Sequence, residues 1–217
     1  ASVLFEHQVS GLDLDNGTLR GVRLHHGDTL PAQVCVLAIG HSARDTVAML
    51  HQGGLRLVPK PFSVGVRIEH PQALIDTAQY GGCAGHPRLG PADYKLAYHA
   101  PTGRSAYTFC MCPGGEVIAA ASEHGGVVTN GMSLSARVAV NANAAVLVGV
   151  SPQDFPGESP LDGFAFQRHW EALAFALGGG SHAAPVQLVA HLLRGASSAP
   201  FGRVAPSYRP GVLPSDL

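Results

Sequence analysis

The stretch that most constrains what this chain can fold into is VCVLAIGHSARDT, at positions 34–46. Six consecutive apolar residues that end at Gly40 read as a strand buried on both faces, as in a parallel sheet. Ser42 is the expected N-cap of a helix running from Ala43 to about Gln52, which Gly53 and Gly54 end. A strand, a small-residue turn and a helix in that order mark an α/β layer, and the turn is where such a sheet brings backbone close to a ligand. Gly40 permits close approach because it has no Cβ, and the helix start offers free N–H groups to a polar or anionic ligand. The same order occurs in most α/β proteins, so it points to a layer and not yet to a function.

The flanking patterns fill in the rest. Alternation predicts strands at Val3–Val9, Leu19–His25 and Leu30–Ile39, with Asn16-Gly17 as a type I′ hairpin turn. Downstream, 60–70 reads as a strand and Pro71 opens a short helix to about Ala78. A Gly- and Pro-rich loop covers 80–91, and DYKLAYHA and RSAYTFC form a hairpin around PTG. EVIAAAS at 116–122 is expected as its third strand, and NANAAVLVGV at 141–150 as another apolar strand. The clearest helix lies in SPLDGFAFQRHWEALAFALGGG, with Phe166, Trp170, Leu173 and Leu177 on one face. A second helix is expected over Pro185–Leu193. The fold class is therefore α/β to α+β: a β-meander with one further strand (1–45), then a mixed-sheet domain with helices (46–195), then a tail (196–217). Both ends read as cut, so the chain is expected to be an internal fragment.

Composition excludes several function classes. Charged residues are 13% of the chain, about half the usual share, and the formal net charge is −1 with no basic run. A nucleic-acid partner needs a concentrated cationic face, which is missing. No apolar stretch approaches the ~20 residues of a membrane span, so no membrane partner is expected. Four cysteines in 217 residues do not make a disulfide scaffold, which points to a reducing, cytoplasmic setting. The 12 histidines are scattered and none makes an H-x-x-x-H pair on a helical stretch, so no metal site is expected.

Two motifs carry the candidate chemistry. In YTFCMCPGGEV (107–117), Cys110-x-Cys112 has no second ligand pair at zinc spacing. A disulfide between the two is disfavoured, because residues two apart in a strand are poorly set for the bridge dihedral. A reactive thiolate needs a nearby cation or helix start. The favoured reading is a tight, ligand-facing turn at Pro113-Gly114-Gly115. In VVTNGMSLSAR (127–137), Asn130-Gly131 is a turn signal followed by Met132 and Arg137. Three Gly-containing turns at the ends of apolar strands suit one cleft. No G-x-G-x-x-G, G-x-x-x-x-G-K-[ST] or G-x-S-x-G occurs in the chain.

In their linear order, LAIGHSARDTVAML, KPFSVGVRIEHPQ, IDTAQYG, YTFCMCPGGEVIAAASE, VVTNGMS with Arg137, and NANAAVLVGV resemble one known family. FQRHWEALAF followed by APVQ completes the run. It is a bacterial group of FAD-dependent dehydrogenases in the glutathione-reductase-like, two-dinucleotide-fold superfamily. The resemblance implies FAD as cofactor, with NAD(P) left open, and hydride or electron transfer to or from a small substrate. It implies that Ala38, Gly40 and His41 stand beside the cofactor, although Ile39 replaces the family's usual Thr, and that Gly114 and Gly115 also approach it. Cys110, Cys112 and Arg137 are then the catalytic candidates, and Arg67, Asn130 and Met132 the candidates for substrate contacts. The chain's main partner would be the rest of its own polypeptide, including the Gly-x-Gly-x-x-Gly unit. The alternatives are a binding module without redox chemistry, or a thiol-based enzyme using Cys110 or Cys112.

Overall fold

Asn16 and Gly17 take φ values of 51° and 78°, the left-handed pair that a type I′ turn requires. They reverse β1 (Val9–Asp15) into the antiparallel β2 (Thr18–Leu24), and β3 (Thr29–Pro31) completes a three-stranded meander. The computed structural model describes residues 2–197 and 201–217. They form an α+β fold divided into two units, Ala1–Pro59 with Ser159–Phe164, and Lys60–Glu158 with Ala165–Leu217.

In the first unit, one expected strand is absent and the expected Leu30–Ile39 strand stops at Pro31. The ladder of β1 begins at Val9 opposite Leu24, where β2 ends. Apart from the Gln8 carbonyl, which accepts from His25 N–H at 2.8 Å, Val3–Gln8 makes no strand pairing, and Phe5 is 81% exposed. Val34–Ile39 also forms no strand. The β2–β3 pairing ends with the Ala32 N–H bond to the Arg20 carbonyl at 3.0 Å, and beyond it the chain meets no further strand among the described residues. Val34 and Val36 are 80% and 84% exposed. The helix does form, as α1 (Arg44–Gln52), with Ala43 and not Ser42 at its N-cap. The Ser42 hydroxyl bonds the neighbouring His41 ring instead. The anchors of α1 are the buried Leu50 and Arg44, whose guanidinium lies 6.0 Å from the Phe164 ring centroid.

The second unit contains β4 (Phe62–Pro71), α2 (Gln72–Tyr80), β5 (Ala97–His99), β6 (Ser105–Cys112), β7 (Glu116–Ala119), β8 (Thr129–Met132) and β9 (Asn141–Val150). Its main sheet is antiparallel with strand order β4-β9-β6-β5. β4 and β9 pair along their whole length, from Phe62↔Val150 to Pro71↔Asn141. Pro71 stays extended as the N-cap of α2 and is not its first helical residue. β7 does not become a third strand of the hairpin. Pro113 and the left-handed Gly114 (φ 49°) peel the chain off the sheet, and β7 pairs with β8 in a separate two-stranded ribbon. Asn130 and Gly131 lie inside β8 and make no turn.

The long helix is α3 (Asp162–Leu177). Phe166 and Trp170 join Phe62 and Phe155 in an aromatic cluster with centroid separations of 5.3–6.2 Å. The expected second helix is instead β10 (Ala184–Val186) followed by the single turn α4 (Val189–Leu192). Pro185 sits within β10, which pairs in parallel with β11 (Val212–Pro214). Buried Val117, Val127, Ala184 and Tyr208 form a core with Phe175 and Val212 against it. The tail is tied to the main sheet as well. Asn141 Nδ2 donates to Glu69 Oε1 and to the Ala205 carbonyl, both at 2.9 Å, and Ser207 N–H donates to Glu69. Of the expected tail 196–217, residues 198–200 lie outside those described.

One ion pair gives a pH-dependent expectation. Arg104 reaches Asp154 at 2.8 Å, and this hydrogen bonding, aided by the Ser151 N–H, holds the Asp154 carboxyl at about 2. A depressed carboxylate stabilises the fold above its ordinary value of 3.8, and that contribution is lost as pH falls toward 2. Arg104→Gln should move the Asp154 titration midpoint upward, as followed by NMR of the side-chain carboxyl.

Candidate functional site

The long β4–β9 pairing positions a polar cluster on an otherwise apolar sheet. Side chains two apart on a strand share a face, so Arg67 and Glu69 of β4 stand together, as do Asn141 and Asn143 of β9. Each partners the other strand's pair: Glu69 takes Asn141, and Arg67 takes Asn143. Asn143 is fully buried, the largest side chain so enclosed among the described residues. Its Oδ1 accepts from Arg67 Nη1 at 2.5 Å.

Two more acceptors complete the cradle. Asn130 Oδ1, from β8, accepts from Arg67 Nη2 at 3.2 Å, and the Cys110 carbonyl, from β6, accepts from Nη1 at 3.4 Å. Gly131 makes this convergence possible. A Cβ there would overlap both Asn143 Oδ1 and Arg67 Nη1. Arg67 is thus a part-buried cation held by three neutral oxygens, and no carboxylate among the described residues pairs with it. Of its five N–H donors, Nε is buried without a partner, and Asn143 Nδ2 is likewise unpartnered. Each such donor costs about 1–3 kcal/mol until an acceptor reaches it.

The Cys-x-Cys motif borders this cradle. The ladder between β6 and β9 slips between Phe109 and Cys112, leaving Cys110 and Met111 in a bulge. Cys110 takes a left-handed φ of 47° and is exposed, whereas Cys112 is buried. Cys112 Sγ donates to the Cys110 carbonyl at 3.3 Å. Burial, and next the neighbouring Cys110, push the Cys112 thiol up from its ordinary value. The turn that follows is tight, as expected. Its amides are used internally: Gly114 N–H donates to the Gln72 side chain at 2.7 Å and Gly115 N–H to the Asn141 carbonyl at 2.9 Å.

The other predicted residues fall in different places. Met132 is exposed at the end of β8. Arg137 is exposed with a left-handed φ of 51°, and its carbonyl packs where a Cβ on Gly114 would stand. Ala38, Gly40 and His41 are exposed in the first unit, and open space surrounds Gly40. The structure therefore gathers Arg67, Asn130, Cys110 and Cys112, with Gly114, Gly115 and Met132 on adjoining backbone. Sequence reading missed Asn143 and took Gly131 for a turn residue. The signal available for Asn143 was Asn141-x-Asn143 opening an otherwise apolar strand, two amides committed to one face.

Residues 61–217 match the profile of a family described as "FAD-dependent protein, C-terminal domain-like". The chain belongs to that family. A protein of Clostridium beijerinckii described as uncharacterized is 49% identical over 210 residues, which are 96% of this chain and 39% of that protein. The chain thus spans about two-fifths of that relative's length. The cradle's chemistry fits an FAD-dependent site. Unpartnered buried donors on Arg67 and Asn143 call for acceptors, and a flavin dinucleotide or an anionic substrate brings them. No group of three or more His, Cys, Asp or Glu among the described residues is arranged to hold a metal ion. Among the described residues no helix is long and apolar enough to cross a membrane.

Proposed function

We propose that this chain is the substrate-side part of a cytoplasmic, FAD-dependent oxidoreductase of the glutathione-reductase-like superfamily. Its Arg67 cradle grips an anionic group of a small substrate. The observation that carries this reading is a part-buried guanidinium with an unpartnered Nε and, among the described residues, no carboxylate counterion. Nε lies on the guanidinium edge it shares with Nη2, the edge that binds a carboxylate or phosphate through two parallel bonds.

FAD, when bound, supplies the hydride or electron transfer. The chain's own residues orient and desolvate. Asn143 and the Cys110 carbonyl fix the guanidinium plane, Asn130 holds its outer nitrogen, and Gly131 leaves the space. Ala38, Gly40 and His41 are assigned to the cofactor side. The exposed apolar run Val34–Ile39 is read as a strand awaiting the sheet of the FAD domain, supplied by the rest of the polypeptide. The relative's greater length supports that reading.

The test is to purify the full-length protein, record its bound flavin, and screen small carboxylates and phosphates for reduction of that flavin. Arg67→Met should raise KM for any active compound by about 100-fold or more, the loss of a charge-assisted bidentate grip. A full-length protein that neither carries nor binds FAD would remove the flavoenzyme reading.

A further inference from the structure

We propose that Cys110 and Cys112 form a reversible dithiol–disulfide couple, with Cys110 as the attacking thiol and Cys112 as the resolving one, acting on low-molecular-weight disulfides. The inference does not rest on the oxidoreductase reading above. A regular strand sets residues two apart poorly for a bridge, and that objection applies to an unbroken ladder. Here the ladder breaks between Phe109 and Cys112, and Cys110 leaves the strand conformation with a left-handed φ of 47°. A non-glycine residue held in that region is strained, a state that persists where surrounding structure enforces it.

The two thiols are divided by environment as a couple of this kind requires. Cys110 is open to solvent while Cys112 is enclosed. Cys112 Sγ points back over the Cys110 backbone and donates to its carbonyl at 3.3 Å. Arg67 Nη1 donates to the same carbonyl at 3.4 Å, so the backbone between the two thiols is held from the sheet side. Ser133 Oγ donates to the Pro113 carbonyl at 2.8 Å, which fixes the backbone just after the buried half of the pair.

The chemistry balances with a disulfide RSSR as oxidant. The Cys110 thiolate attacks one sulfur; a Cys110–SR bond forms, the RS–SR bond breaks, and RS⁻ leaves and takes up a proton. Cys112 Sγ then attacks Cys110 Sγ and expels the second RS⁻, and the Cys112 proton passes to that leaving group through solvent. Two protein thiols become one disulfide, and RSSR becomes two RSH.

The probe is oxidised glutathione, applied to the reduced full-length protein and followed by alkylation and mass spectrometry. Tryptic cleavage after Arg104 and Arg137 releases Ser105–Arg137, which contains both thiols and no other cysteine. The expected product is this peptide two hydrogens lighter, unalkylated and free of glutathione. Cys112→Ser should instead accumulate the glutathione adduct on Cys110, and Cys110→Ser, an exposed position whose change spares the core, should abolish the reaction in this peptide. A stable glutathione adduct on the wild-type Cys110, or two thiols that both stay alkylatable, would overturn the proposal.

Discussion

Gly114→Ala is expected to destabilise the protein by about 3 kcal/mol or more and to lower its melting temperature by roughly 10 °C. Two costs combine. At a φ of 49° an L side chain is strained by about 1–2 kcal/mol. The new Cβ would also run into the Arg137 carbonyl, which is backbone and cannot rotate away. Relief would require moving the Leu134–Arg137 turn or giving up the Gly114 bond to Gln72. Gly103→Ala is the matched control. Gly103 has a φ of 85° with nothing within 4 Å of its would-be Cβ, so only the conformational cost of about 1 kcal/mol applies. Thermal unfolding of both variants separates the strain from the collision. Equal losses would mean that the 134–137 segment yields freely.

The second large effect is at Asn143. Asn143→Leu should cost about 3 kcal/mol, since it removes the shortest acceptor of a part-buried guanidinium and leaves that charge with only the two longer bonds to Asn130 and the Cys110 carbonyl. Arg67→Met should cost less, because it removes the charge along with its bond. The double variant is expected to recover most of the loss, with a coupling of about 2 kcal/mol in urea-unfolding cycles, because an apolar pair needs no counter-group. The pair would then be retained for what it binds. Additive losses would show Asn143 acting through packing alone.

Legibility in the sequence followed how local each determinant is. β9 matches the expected 141–150 to the residue, because an apolar run of ten between polar turns leaves one placement. The Asn16-Gly17 hairpin and the end of α1 at Gly53 were likewise written in local backbone chemistry. What failed depends on partners. Val34–Ile39 has a buried strand's composition and no edge to pair with. Asn130-Gly131 is a turn signal absorbed into β8, because Gly131 is needed there to admit Arg67. Pro185–Leu193 looked helical until Val212–Pro214, far along the chain, offered a parallel edge. The cradle itself draws on β4, β6, β8 and β9, and its central amide was invisible until the β4–β9 register placed Asn143 beside Arg67.

The most direct measurement of the central claim is the Arg67 Nε–H resonance, assigned by its loss in Arg67→Met and followed while sodium acetate or phosphate is added. A ligand site on the Nε edge predicts a saturable shift of that resonance, with slowed solvent exchange and no comparable change at exposed Arg20 or Arg209. A resonance that stays fixed through millimolar anion, while the protein remains folded, would contradict it and leave the cradle a purely structural crossing of β4, β6, β8 and β9.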